Sequence, residues 1–181
     1  MTSVFIGGSR VVVRLDKVIL AKLDELIDRQ CLIFVGDANG ADKAVQQHFA
    51  RRGYARVLVY CMDRCRNNVG TWPTKNVSRP LSRKDFAYYA AKDHAMAQDA
   101  NCGIMLWDGK SKGTLNNIQQ LVASGKKTLV YLSTERAFHK ITTEQELDTL
   151  LQRCDSGDVQ RAQQEIKTKL SAQLPLHAPQ G

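Results

Sequence analysis

Three glycine-rich segments hold most of the chemistry this sequence offers. Gly7-Gly8-Ser9-Arg10, Gly36-Asp37-Ala38-Asn39-Gly40-Ala41-Asp42 and Asp108-Gly109-Lys110-Ser111-Lys112-Gly113-Thr114 each follow a short apolar run. Glycine lets backbone N–H groups approach an anion closely. Gly40 and Gly113-Thr114 stand where helices begin, and a helix amino terminus offers free N–H donors and the positive end of its dipole. Lys110 and Lys112 precede that second start, and Arg10 adds a forked cationic donor. These residue types suit phosphate. Glycines of this kind also serve plain strand-to-helix turns, but three such loops on one edge favour an anion site. The chain has no Walker A loop, and Gly7 to Val12 lacks the dinucleotide Gly-x-Gly-x-x-Gly spacing.

The carboxylates divide into two groups. Asp37, Asp42 and Asp108 sit in the loops and suit loop fixing or ribose hydroxyls. Asp93 falls on the apolar face of a helix. It is either a ligand-facing or catalytic carboxylate, or a buried one bonded to a neighbouring loop, since burial demands donors. Asp93 and Asp108 are the candidate catalytic groups. Trp107 and Trp72 offer rings for a base, or simply core. Cys61 and Cys65 are the one close pair among five cysteines, and the four histidines are scattered. No metal site and no cofactor are expected from that pattern. An odd, irregular cysteine set points to reduced thiols and a cytoplasmic protein.

These residues need a frame. Ser3–Ile6, Cys31–Val35, Val57–Tyr60, Cys102–Trp107 and Thr128–Leu132 read as buried strands. A helical stripe runs through Leu15, Val18, Ile19, Leu23, Leu26 and Ile27. Ala41, Ala44, Val45, His48 and Phe49 form a second, closed by Gly53. A third helix starts at a Ser82 cap and runs to about Ala100, with Phe86, Tyr89, Ala90, Met96, Ala97 and Ala100 on its apolar face. Further helices follow Gly113, include Leu147 to Leu151, and run from Val159 to Leu170. Alternating apolar strands and helices imply an α/β, Rossmann-like, doubly wound and mainly parallel five-stranded sheet with helices on both faces. A strand order of 3-2-1-4-5 places a ligand crevice between strands one and four, beyond their carboxyl ends.

At 181 residues one domain is the default, taken as 1–171 with a frayed tail at 172–181. No apolar run approaches the roughly 18 residues of a membrane span, and the amino terminus does not read as a signal peptide. The net charge of +8 favours anionic partners. Residues 63–82 break the β/α rhythm as an unusually long loop. That loop carries Arg64, Arg66, Lys75 and Arg79 against Asp63, with Trp72 at its centre. A basic groove with an aromatic platform is what single-stranded nucleic acid requires.

Phe5-Ile6-Gly7-Gly8-Ser9-Arg10, Gly36 to Asp42 and Trp107 to Thr114 together resemble the SLOG superfamily, named for the Smf/DprA proteins and the LOG phosphoribohydrolases. The resemblance spans about residues 3–133. It is nearest to the small stand-alone bacterial and phage members, with Lys92-Asp93 and Met96-Ala97 before the fourth strand. It implies a Rossmann-like fold, a nucleotide-derived ligand and a pairing of copies into a homodimer. Some members cleave the N-glycosidic bond of nucleotides, and DprA-type members bind single-stranded DNA. The phosphoribohydrolase pattern continues Gly-Thr-x-x-Glu, whereas here Asn117 takes the glutamate position. An amide cannot act as a carboxylate base. The expected function is therefore binding or sensing of a nucleotide or nucleotide-derived ligand. The alternatives are a nucleotide N-glycosidase and a single-stranded nucleic-acid binder.

Overall fold

Alternation along the central strands sorts the core into two layers. In the computed structural model, which describes residues 1–77 and 86–171, β1 (Ser3–Gly8) points Val4 and Ile6 to one face and Phe5 to the other. β2 (Leu32–Gly36) divides Ile33 and Val35 from Phe34, and β5 (Cys102–Trp107) divides Ile104 and Leu106 from Met105 and Trp107. A period of two with apolar residues on both sides is the mark of a sheet covered on both faces. The Val4/Ile6 face packs against α1 (Lys17–Asp28) and α2 (Ala41–Arg51). The Phe5/Trp107 face packs against α3 (Phe86–Asp99), α4 (Lys112–Ala123), α5 (Glu144–Leu151) and α6 (Ser156–Ser171).

Among the described residues one sheet has seven strands, ordered β4-β3-β2-β1-β5-β6-β7. β3 is Val57–Cys61, β4 Thr74–Asn76, β6 Thr128–Leu132 and β7 Ala137–Ile141. The inner five follow the expected order, and β1 lies between β2 and β5 in parallel register (Phe5 opposite Phe34 and Gly103). The expectation of five strands is corrected by the two edges. β4 pairs parallel to β3, and β7 pairs antiparallel to β6. Neither had an apolar signature: Thr74–Asn76 is wholly exposed, and β7 is mostly half-buried.

Local chemistry sets the helix starts. The Asp16 carboxylate accepts from the N–H groups of Val18 and Ile19 and caps α1. Thr143 and Glu146 form a reciprocal capping box on α5. α2 begins after Gly40 at φ +85°, where a Cβ would run into the Arg10 backbone. That contact brings the β1 loop against the start of α2, and the Ala41 N–H donates to the Ser9 carbonyl. Val18 departs from the expected stripe and is exposed. The Ser82 cap, Arg79 and the 172–181 tail lie outside the described residues.

Two further expectations are corrected. Trp72 is no platform: it is 8% exposed in the α1/α2-side core, and its indole N–H donates to the Tyr54 carbonyl at 2.8 Å. Cys61 and Cys65 are joined as a disulfide rather than standing as free thiols, while Cys31, Cys102 and Cys154 are free. No helix among the described residues is long and apolar enough to cross a membrane.

Candidate functional site

The segment after β5 is shaped by one carboxylate. Asp108 Oδ1 accepts from Ser9 Oγ at 2.9 Å and from the backbone N–H groups of Lys110 and Ser111 at 3.1 and 2.8 Å. Ser9 Oγ in turn accepts the Asp108 N–H and lies 3.2 Å from Thr114 Oγ1. This network ties the β1 turn to the first turn of α4 across the switch point of the sheet. Ser111 occupies the N-cap position without a side-chain cap bond. The start of α4 thus keeps uncapped N–H donors, and it opens onto a cavity of about 530 Å³.

A buried charge cluster forms the opposite wall. Lys92 on α3 is only 3% exposed. Its ammonium lies 3.0 Å from Asp93 and 3.8 Å from Asp37. Asp37 is itself buried and takes three hydrogen bonds from Arg66: from its N–H and Nε to Oδ2, and from Nη2 to Oδ1 at 2.6 Å. The Arg66 guanidinium lies 4.8 Å from the Tyr89 ring centroid. Gly36 makes this packing feasible, because a Cβ there would sit 2.4 Å from both Asp42 Oδ2 and Lys92 Nζ. Burial drives the Asp42 carboxyl up to about 6 despite the nearby Lys92 charge. Burial acts the same way on Asp37, but the hydrogen bonds of Arg66 and the charge of Lys92 outweigh it and hold Asp37 below the usual carboxylate range. Lys92 shows the mirror image: burial would lower it, and the three surrounding carboxylates hold it up.

Among the described residues, two polar atoms on α4 are left without partners. Asn117 Nδ2 donates to Asp93 Oδ2 at 3.2 Å, which fixes the amide, and its buried Oδ1 then has no donor. Asn116 Nδ2 is buried and equally unpartnered. Both residues border the cavity. Buried polar groups are nearly always satisfied, so these two amides are exceptions at the edge of the cavity.

The expected site residues separate into two groups. Gly7, Gly8, Arg10, Asp42, Asp93, Asp108, Ser111, Lys112, Gly113, Thr114 and Asn117 border the cavity. Ser9, Gly36, Asp37, Asn39, Gly40, Trp107, Gly109 and Lys110 do not line it. Of these, Trp107 is fully buried and donates its indole N–H to the Ser111 carbonyl, and Asn39 accepts from Asn67. Lys110 pairs with Asp158 at 2.9 Å and Lys112 with Glu165, so both loop cations reach to α6. Sequence reasoning missed Arg66, Tyr89 and Asn116 as cavity residues, and it passed over the charge of Lys92. A signal existed: Tyr88, Lys92 and Met96 recur every four residues, a lysine within a buried stripe.

No family model matches the chain, and no curated protein does so either. Among solved structures the chain is similar to DNA processing protein A from Helicobacter pylori. The TM-score is 0.57 at 15% identity, over 94% of this chain and 81% of that one. That protein is described by its single-stranded DNA binding mode. Likeness at this identity concerns the fold alone, a Rossmann-like, mainly parallel α/β sheet.

Proposed function

We propose that the cavity between β1, α3 and α4 binds a nucleotide or nucleotide-derived small molecule, with its anionic group at the start of α4. The observation that carries this reading is the α4 start, which has no side-chain cap and opens onto that cavity together with Arg10. Uncapped helix N–H groups favour the anion, and Arg10 at the rim adds charge. The carboxyls of Asp42 and Asp93, which border the cavity, supply acceptors for hydroxyl or amino groups. Titration calorimetry against a nucleotide panel tests this. Binding is expected for the wild type and at least about tenfold weaker in Gly113→Asp and Arg10→Ala. Unchanged affinity in both variants removes the site.

Turnover is the weaker reading. Asp93 borders the cavity, but its carboxylate is engaged by Lys92 and Asn117, and Asp108 Oδ1 already accepts three hydrogen bonds. Release of free base from the same panel, abolished by Asp93→Asn, would establish an N-glycosidase instead. The single-stranded nucleic-acid reading is favoured by the likeness to DNA processing protein A and by the net charge of +8. It requires DNA binding that a saturating nucleotide displaces, if the same cavity is used.

A further inference from the structure

Cys61 ends β3, and Cys65 follows one turn later with its Cα 5.1 Å away. The next residue is Arg66, whose main-chain N–H and side chain make all three bonds to Asp37 described above. From there the chain is pinned back onto the sheet. Asn67 Nδ2 donates to the Asp37 carbonyl at 2.7 Å, Gln46 Nε2 donates to the Asn67 carbonyl, and the Val69 N–H donates to Gln46 Oε1. The disulfide therefore closes a covalent loop immediately before Arg66, which borders the cavity. Cys61 is fully buried and Cys65 half-buried, so only Cys65 is open to an incoming thiol. No sulfur is needed for the anion and hydroxyl contacts of the cavity.

We infer that Cys61–Cys65 is a thiol–disulfide exchange site for low-molecular-weight thiols, whose state sets how firmly Arg66 and its neighbours are held on Asp37. A small thiolate attacks Cys65 Sγ and breaks its bond to Cys61, and Cys61 leaves as a thiolate that takes up a proton. A second small thiolate attacks the added sulfur of the mixed disulfide and releases Cys65, which is protonated in turn. The protein gains two electrons and two protons, and two small thiols become one small disulfide. Once the tie is gone, residues 62–65 gain backbone freedom, and the bonds of Arg66 must hold the segment unaided. This inference stands whatever the cavity binds.

Wild-type protein is equilibrated across a series of reduced and oxidised dithiothreitol ratios, then read in two ways. Alkylation with mass spectrometry should show Cys61 and Cys65 becoming accessible together, in one two-electron step. Amide hydrogen exchange at Arg66 to Val69 should run about tenfold faster on the reduced side, with β1 and β5 unchanged. The Cys61→Ser/Cys65→Ser protein should show the fast exchange at every ratio, which separates this pair from Cys31, Cys102 and Cys154. If the double variant does not fold, the wild-type series alone decides. Full alkylation of Cys61 and Cys65 at every ratio overturns the inference, and so does an Arg66 exchange rate that ignores their state.

Discussion

A single methyl group added at Gly36 would meet both partners of a buried charge pair, Asp42 Oδ2 and Lys92 Nζ, at 2.4 Å. Neither can retreat easily, because Lys92 is also held by Asp93, and Asp42 accepts from the Ala38 N–H at 3.2 Å. Gly36→Ala is expected to cost about 1–3 kcal/mol by overpacking, read as a lower urea midpoint with unchanged slope. Asp42 carries a second prediction. Its folded value is raised, so between the ordinary carboxylate value of 3.8 and about 6 the folded chain holds a proton that the unfolded chain has lost. The stability this group contributes is present at acid pH and is lost as pH rises through 6. Asp37, held low by Arg66 and Lys92, works in the opposite sense: its contribution is present at neutral pH and is lost as pH falls below the ordinary carboxylate range. Asp42→Asn keeps an acceptor for Ala38 but cannot titrate. From pH 4 to 7, wild type should therefore lose on the order of 1–3 kcal/mol relative to the variant, measured by urea unfolding along the series. A constant difference between the two proteins rejects the raised value. Sequence spacing placed Asp37 and Asp42 in one loop but could not bring Lys92 to them, because Lys92 arrives from another helix.

At the scale of elements, α4 is the informative case. A Cβ at Gly113 would meet nothing within 4 Å, so the fold itself does not demand glycine there. Gly113→Ala should leave the protein equally stable or up to about 1 kcal/mol more stable through helix propensity. It should still weaken nucleotide binding, since the methyl group occupies cavity space beside the helix N–H groups. Thermal melts and calorimetry on the same preparation separate the two effects; equal affinity would place the anion elsewhere. The α4 start was legible because glycine, threonine and flanking lysines signal it directly. α3 was legible as a helix, and Met96, Ala97 and Ala100 of its expected apolar face lie in the core, but its first turns face differently. Tyr89 and Ala90 of its expected apolar face are only partly buried, whereas Tyr88 and Lys92 are buried. The helix is rotated toward a polar partner, which hydrophobic periodicity alone cannot encode. β4 and β7 were illegible for a related reason. Edge strands are defined by the neighbour they pair with, and their own side chains need not be apolar.

At the scale of the whole molecule, the net charge of +8 and the placement of the tryptophans bear together on nucleic acid. Trp72 and Trp107, 8% and 0% exposed, are committed to opposite cores, and each indole N–H is already bonded to a backbone carbonyl. Neither can stack on a base without leaving the fold. Lys110 and Lys112 are likewise paired with Asp158 and Glu165 of α6, a helix anchored through Val159, Ala162 and Ile166. Binding of single-stranded DNA would then rest on phosphate contacts from the remaining exposed cations. Such binding is independent of sequence and falls steeply with salt, by about a hundredfold or more between roughly 50 and 200 mM for a chain making several phosphate contacts. Fluorescence anisotropy of a labelled oligonucleotide across a salt series should show that slope, while intrinsic tryptophan emission stays constant throughout the titration. Emission quenched in proportion to DNA bound would mean that an indole has left its core to stack. The long basic segment would then be an aromatic groove after all, and the buried position of Trp72 only one of its states.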